Sequence, residues 1–409
     1  ILNDNEIDSV VYEKNHNLGG LISCSLESDH LFHRVGGHIF NTKIDKVLNW
    51  FWLKFDKEKE FIKAKRNASI LINEQFIDYP IELNLKQLDK SICNKIVKEL
   101  IELSTNNINS KTFYDFLRNN FGDTLYSLYF GKYNKKIWKR DLDKIPIEWL
   151  KGKLPMISPQ DILIQNIYSS QNDNMAHSTF FYPKKGGSQF IVDRLSENMR
   201  IKKEKISKIS IKDDLIFIND ERFCYQALIF TGDIRDLREL LSNKIVKELD
   251  INGLLEDISL LKSNATTTIL CECDKNDFSW IYIPSENIKP HRMIMTGNFS
   301  KLNNSSKVKK NRISCTIEYS GRLSKDLFLR ELNKIPFNPK FIAYNFCANS
   351  YIIQNDASRE LIKNLKEKLA KKNIFLCGRF AEWEYFNMDN AIYSAMKTCS
   401  SIQKKYLKY

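Results

Sequence analysis

Gly378-Arg-Phe-Ala-Glu-Trp-Glu-Tyr-Phe-Asn-Met-Asp389 is the stretch from which the rest of the chain is read. Before it, residues 374–377 form a short apolar run that predicts a buried strand. After it, the apolar spacing from Met388 to about Tyr406 predicts a closing helix. Gly378 permits a sharp exit from the strand, and Asn387 or Asp389 stands where a helix takes its N-cap. Strand, Gly-Arg turn, loop and helix in this order leave backbone N–H groups aimed at an anion or a carbonyl.

The other end of the chain supplies the counterpart. Asp8-Ser-Val-Val-Tyr-Glu-Lys14 is a β-branched run closed by an acid, and it leads into Gly19-Gly20. Nucleotide folds place an acid such as Glu13 at a strand end to accept hydrogen bonds from a ribose diol. A glycine-rich phosphate loop is expected about 20 residues before that acid. Twelve residues precede Glu13, with residues 1–5 reading as the tail of a helix, and the first residue is Ile1. The opening therefore reads as a cut through a cofactor domain whose first βα unit is missing from this chain. Together the two ends have the layout of two-dinucleotide-fold flavoproteins, in which the chain leaves the cofactor domain twice and returns to finish it. The expected class is α/β, with an inserted helical domain and an antiparallel-sheet substrate domain.

Periodicity fills in the middle. Residues 44–55 predict a helix, and 69–81 two short strands around a turn. Apolar residues at helical spacing (Leu85, Leu88, Ile92, Ile96, Leu100, Leu103, then Phe113, Phe116, Leu117) predict a bundle over 85–149. Strands are expected at 178–182, 206–211, 215–218 and 227–231, and a loop-to-helix unit at 186–199. A strand-rich block is expected at 266–273, 280–284, 293–299 and 314–319, then a helix at 358–371. The polar, basic stretch 303–311 reads as a mobile loop. The domains expected are 1–60, 183–240 and 350–409 for the cofactor, 85–155 for the helical substrate part, and 61–84, 156–182 and 241–349 for the sheet.

Composition narrows the function. The 409 residues are 43 % hydrophobic, an ordinary globular value that excludes a disordered chain. Lys and Arg number 63 against 50 Asp and Glu, so the net charge is +13. These cations show no stripe with interleaved aromatics, which argues for an anionic small substrate over nucleic acid. Nine cysteines without a CxxC pair argue against a disulfide framework and for a reducing cytoplasm. Cys271 and Cys273 read as two buried thiols on one strand face, not as a metal site. No run reaches the roughly 18 apolar residues of a membrane span.

With these features in order, the chain resembles the UDP-galactopyranose mutase family, within the wider FAD-dependent amine oxidase and protoporphyrinogen oxidase group. The resemblance rests on Glu13–Gly20, Gly36-Gly37-His38-Ile39-Phe40-Asn41-Thr42, Tyr133-Asn-Lys-Lys-Ile-Trp138, Tyr182-Pro-Lys-Lys-Gly-Gly187, Phe230-Thr231-Gly232 and Gly378–Asp389. It implies a flavoprotein isomerase of nucleotide sugars, contracting a sugar ring with reduced FAD as nucleophile, in polysaccharide biosynthesis. Cofactor contacts are implied for Glu13, Gly19, Gly20, Gly37 and His38, and again for Gly378, Arg379, Asn387, Met388 and Ala391. Substrate contacts are implied for Tyr133, Trp138, Arg292, Tyr351 and Tyr385, with His38 and Arg379 at the chemistry. No metal is implied, and homodimerisation stays open.

The chain also departs from the family. Where mutases carry an arginine shortly after the tryptophan motif, the corresponding stretch Gly152-Lys-Leu-Pro-Met156 offers only Lys153, which cannot give the same two-pronged phosphate grip. Asn41, Asn387 and Ile352 replace the usual His, Asp and Pro. These changes leave the identity of the sugar open. The alternatives are an amine oxidase or protoporphyrinogen oxidase-like oxidoreductase, and a cofactor-free relative lacking the phosphate loop.

Overall fold

The computed structural model describes residues 1–105, 110–145, 147, 157–168, 179–213, 215–219 and 221–406. Its α/β character starts from two parallel strand pairs. Val10–Tyr12 pairs with Arg200–Lys202, and Leu228–Phe230 pairs with Ile374–Leu376. Parallel neighbours cannot be joined by a tight turn and need long crossovers. The pairs therefore gather segments from the beginning, middle and end of the chain. Residues of Val10–Tyr12 and of Leu228–Phe230 wall the same cavity. The strand Arg200–Lys202 was not anticipated: three residues with charged ends carry no period, and pairing alone makes them a strand.

The closing helix Met388–Tyr406 packs near the helix Asp45–Lys54, and Met396 joins a cluster with Phe40, Val47, Phe51, Phe61 and Ile191. On the other flank Phe230, Ile374 and Leu376 bury against Ile362, Leu365 and Leu369 of the helix Asp356–Ala370.

A seven-stranded sheet forms the second layer. Its order is Lys340–Ile352, Ser263–Asp274, Arg312–Ser320, Arg292–Ile294, Trp280–Tyr282, Ala68–Ile72 and Gln75–Asp78. Its pairings are antiparallel except that Trp280–Tyr282 runs parallel to Ala68–Ile72. The sheet is therefore mixed where a purely antiparallel one was expected. The strand expected over 293–299 ends at Ile294, and Thr296–Phe299 forms a helical turn instead. Thr-Gly-Asn favours a turn over a ladder there, and Asn298 Nδ2 donates to the carbonyls of Asn276 and Phe278 at 2.8 and 2.7 Å. Lys340–Ile352, absent from the sequence reading, is the long edge strand. Its outer face meets solvent, so its alternation is weak.

The helical section runs through Lys90–Ser104, Phe113–Leu125, a π-helical turn at Tyr126–Phe130, and Gly131–Trp138. Thr112 and Asp115 close a reciprocal capping box at the start of the second helix. Ile96, Leu100, Phe116, Leu117 and Phe121 are buried in one cluster with Ile70 and Tyr282 of the sheet. Each such side chain contributes on the order of 1.5–3 kcal/mol by leaving water. The helices thus lean on the sheet, and this contact sets the last helix beside the strand Trp280–Tyr282.

The stretch expected to be a mobile loop, 303–311, is anchored at its head. Asn303 is fully buried and donates to Tyr182 Oη and Thr296 O at 2.9 and 2.7 Å. Asp29 accepts from Ser306 N and Oγ, both at 3.0 Å. Polar composition suggested solvent throughout; the Asn303 bonds are buried instead, while the Asp29 bonds pin the loop at the exposed surface. Cys271 and Cys273 are buried as expected, and no group of three metal-ligating side chains exists among the described residues. No described helix is long and apolar enough to cross a membrane.

Candidate functional site

Between the parallel pairs and the seven-stranded sheet lies a cavity of about 2560 Å³. Its walls include Glu13, Gly19, Gly20, Gly37 and His38 from the N-terminal part, and Arg379, Asn387, Met388 and Ala391 from the C-terminal part. Arg292, Tyr351 and Tyr385 line it as well. Segments more than 350 residues apart in sequence therefore face one space.

Glu13 ends the strand Val10–Tyr12 and accepts from Asn15 N at 2.7 Å, which turns its carboxylate at the strand end. Gly20 has φ +54 and nothing within 4 Å of where a Cβ would stand, so it leaves the wall open. At Gly37 the need is opposite: a Cβ would meet Ile294 Cγ2 at 2.6 Å and Phe299 at 3.3 Å. The loop fits between sheet and cavity only without a side chain. His38 follows it, with Nε2 2.6 Å from Val35 O. A carbonyl accepts only, so Nε2 carries the proton and Nδ1 is the free acceptor. Burial, the nearby Arg379 and Arg292 pull His38 down to about 4, which keeps it neutral.

The most heavily charged part of the wall is Arg292, at the start of the strand Arg292–Ile294. Its Nε donates to Glu318 and its Nη2 donates to Tyr351 Oη at 2.9 Å. Glu318 is fully buried, and Arg292 more than compensates burial, holding the carboxyl down at about 2. His291 Nε2 stands 3.6 Å away from the same carboxylate, outside hydrogen-bond reach, so Arg292 is the partner that matters. Sequence reasoning missed Glu318. Its available signal was a lone acid in Arg312–Ser320, a strand buried along its whole length.

Arg379 is aimed by carbonyls. Nε donates to Phe386 O at 2.8 Å, Nη2 to the same oxygen, and Nη1 to Ser350 O at 3.2 Å. Its guanidinium lies 4.6 Å over the Tyr385 ring. Tyr385 stacks on Tyr351 at 5.9 Å and 12°, and Trp138 sets its edge against both rings at 5.9 and 6.4 Å. Trp138 and Tyr133 do not line the cavity directly, although Trp138 abuts its tyrosine wall. Tyr133 packs on Tyr282 at 5.4 Å, and Tyr282 does line it. Arg66, which the sequence reading passed over, lines the cavity with its guanidinium over the Tyr79 and Trp280 rings at 4.9 and 5.3 Å.

Gly378 does not line the cavity either; it positions. Its φ is +95, and its N–H donates to Glu382 Oε2 at 2.9 Å. Glu382 is 9 % exposed, also accepts from Ser394 Oγ, and pairs with Lys366 Nζ at 2.7 Å. One carboxylate thus ties the Gly378-Arg379 turn to both C-terminal helices. Glu382→Ala leaves an amide and a hydroxyl without their acceptor, so a loss of about 2–4 kcal/mol is expected in guanidinium titrations. A change below about 1 kcal/mol would show the tie to be incidental. Ala391 N donates to Asn387 O at 3.0 Å, which puts Asn387 at the head of the closing helix. Lys153, the candidate phosphate cation in 152–156, lies outside the described residues.

Chemically, two fixed guanidiniums beside tyrosine hydroxyls suit a group with several anionic oxygens. No family model matches the sequence. Among solved structures, reduced UDP-galactopyranose mutase is similar with a TM-score of 0.83 at 18 % identity, over 99 % of this chain and 91 % of that one. A protein of Exiguobacterium sp. 255-15, provisionally assigned as a protoporphyrinogen oxidase, is similar with a TM-score of 0.72 at 13 % identity, over 98 % of this chain and 94 % of the other. A putrescine oxidase redesigned in cofactor binding gives 0.58 at 11 % identity, over 99 % and 95 %. At such identities the likeness is one of fold.

Proposed function

We propose that this protein is an FAD-dependent enzyme acting on a nucleotide sugar, most closely in the manner of a UDP-galactopyranose mutase that contracts a sugar ring. The observation that carries the reading is the pairing of Arg292 and Arg379, each fixed by protein oxygens, on the tyrosine-lined side of a glycine-walled cavity. The cavity volume supports it too. Single-ligand pockets run to about 1,000 Å³, and about 2560 Å³ accommodates a dinucleotide and a second ligand together.

The residues fit the cofactor. Glu13 offers a strand-end carboxylate to a ribose diol, Gly20 offers a wall without a side chain, and the head of the closing helix offers N–H groups. When bound and reduced, a flavin supplies a nucleophilic nitrogen for the anomeric carbon. The chain's own work is electrostatic and steric. Arg292 and Arg379 hold the diphosphate and stabilise its charge as it departs and returns. Tyr351 shares its hydroxyl with Arg292 and gives that guanidinium one orientation. Tyr351 and Tyr385, stacked on each other and backed by the edge of Trp138, supply an aromatic surface for the base. His38 keeps its proton on Nε2 and stays neutral, so it adds no charge to compete for the diphosphate.

The test is an absorption spectrum of the purified full-length protein, followed by assays of the dithionite-reduced enzyme with several UDP-sugars. Flavin bands and isomerisation by the reduced form alone are expected. A colourless preparation that refuses FAD overturns the whole reading. Steady consumption of oxidant with substrate overturns the mutase part and leaves an oxidase.

A further inference from the structure

We infer that Lys136 is a positioning residue whose ammonium, caged by four backbone carbonyls, fixes the aromatic helix Gly131–Trp138 against the strand that carries Arg292. Lys136 Nζ lies 2.8 Å from Ile283 O, 2.6 Å from Ser285 O, 2.5 Å from Ile288 O and 3.0 Å from Pro290 O. All four carbonyls belong to the one loop that joins Trp280–Tyr282 to Arg292–Ile294. An ammonium has three donors and no lone pair, whereas a neutral amine would turn a lone pair toward carbonyl oxygens. The cage therefore selects the charged form.

The loop passes this constraint directly to the site. Ile283 N donates to His291 O at 2.9 Å, and His291 N donates to Glu318 O at 3.0 Å, so the loop base is built into the strands that hold Arg292 and Glu318. The same end of the helix is tied a second time from the neighbouring strand: Asn264 Nδ2 donates to Ile137 O and Trp138 O at 3.2 and 2.9 Å. With both ties in place, the Tyr133–Trp138 face cannot slide along the sheet relative to Arg292. Without Lys136, only the Asn264 tie remains from this pair.

Burial pulls Lys136 down to about 7. The charged groups facing it are Glu286 of the loop and Glu331 of the helix Lys325–Leu332, which favour the ammonium, and Lys139 of its own helix, which opposes it. His291, at the head of the Arg292 strand, also lies within its field and is itself held neutral by burial. Lys289 sits in the same loop, with its N–H on Glu331 at 3.0 Å. Charge is thus present below neutral pH and is lost as pH rises.

The inference rests on the nucleotide-sugar reading only for what the positioned face binds, so the experiment has two arms on the FAD-loaded protein. In the first, hydrogen exchange of residues 283–292, corrected for intrinsic rates, is followed from about pH 6 to about pH 9. Protection in the wild type should fall as pH rises. It should be lost at low pH in Lys136→Ala and Lys136→Met, and return on adding ethylammonium to the alanine variant but not to the methionine variant, whose side chain fills the space the lysine occupied. In the second arm UDP affinity is measured. Both variants should bind about tenfold more weakly with the flavin spectrum unchanged, again with rescue only of alanine. Protection that is independent of pH and unaffected by ethylammonium overturns the assignment. A wild type that binds no UDP overturns the substrate reading, while the exchange arm still decides the role of Lys136. If both variants fail to fold, the wild-type pH series decides it.

Discussion

Glu318→Ala is expected to lower folding stability by about 3–5 kcal/mol, the usual cost of removing one partner from a buried ion pair. Among the described residues Arg292 then keeps its charge with only the Tyr351 hydroxyl, a neutral acceptor, in place of the carboxylate. Glu318→Gln separates the two components. It preserves volume, so whatever loss it shows is the electrostatic share. The pH signature follows from the sign of the shift. The folded carboxyl is held at about 2, below its ordinary 4.5, so its stabilisation is complete above about pH 4.5 and is lost as pH falls toward 2. Guanidinium titrations of both variants at neutral pH check the prediction. A loss under about 1 kcal/mol in the alanine variant would mean that solvent in the cavity compensates Arg292.

The second large effect is acid sensitivity in a window above the carboxylates. His33 is fully buried, with Nε2 2.6 Å from Tyr182 Oη, and burial holds it at about 3. In the unfolded chain it titrates near 6.5, so between those values the unfolded state binds one more proton. Stability should therefore fall by about 1.4 kcal/mol per pH unit below pH 6.5 from this residue alone. That is about 3 kcal/mol by pH 4.5, before most carboxylates respond. His38 acts in the same direction, by less than its shift suggests, because it sits on the cavity wall. His291 is shifted the same way by burial. Denaturant midpoints measured from about pH 7 to pH 4.5 should slope accordingly, and His33→Gln should flatten the slope by about 1.4 kcal/mol per unit. A wild-type profile that is level across this range rejects the prediction.

The sequence by itself determined the elements whose causes are local. Gly378 and Asn387 mark the turn and the helix head because backbone freedom and capping are properties of a few neighbouring residues. Glu13 reads as a strand-end acid for the same reason, and 3.6-residue spacing places Ile96 and Leu100 on one buried face. The tertiary structure alone decided what those elements hold together. Glu318 meets Arg292 across 26 positions, and Lys136 meets Ser285 across 149. Arg200–Lys202 becomes a strand only because Val10–Tyr12 arrives beside it. Such partners answer to no period, since a buried charge is satisfied by whichever group folding brings within about 3 Å. Lys136, a plain cation on a helix in the sequence, becomes the pin between aromatic face and guanidinium only when four carbonyls of one loop close around it.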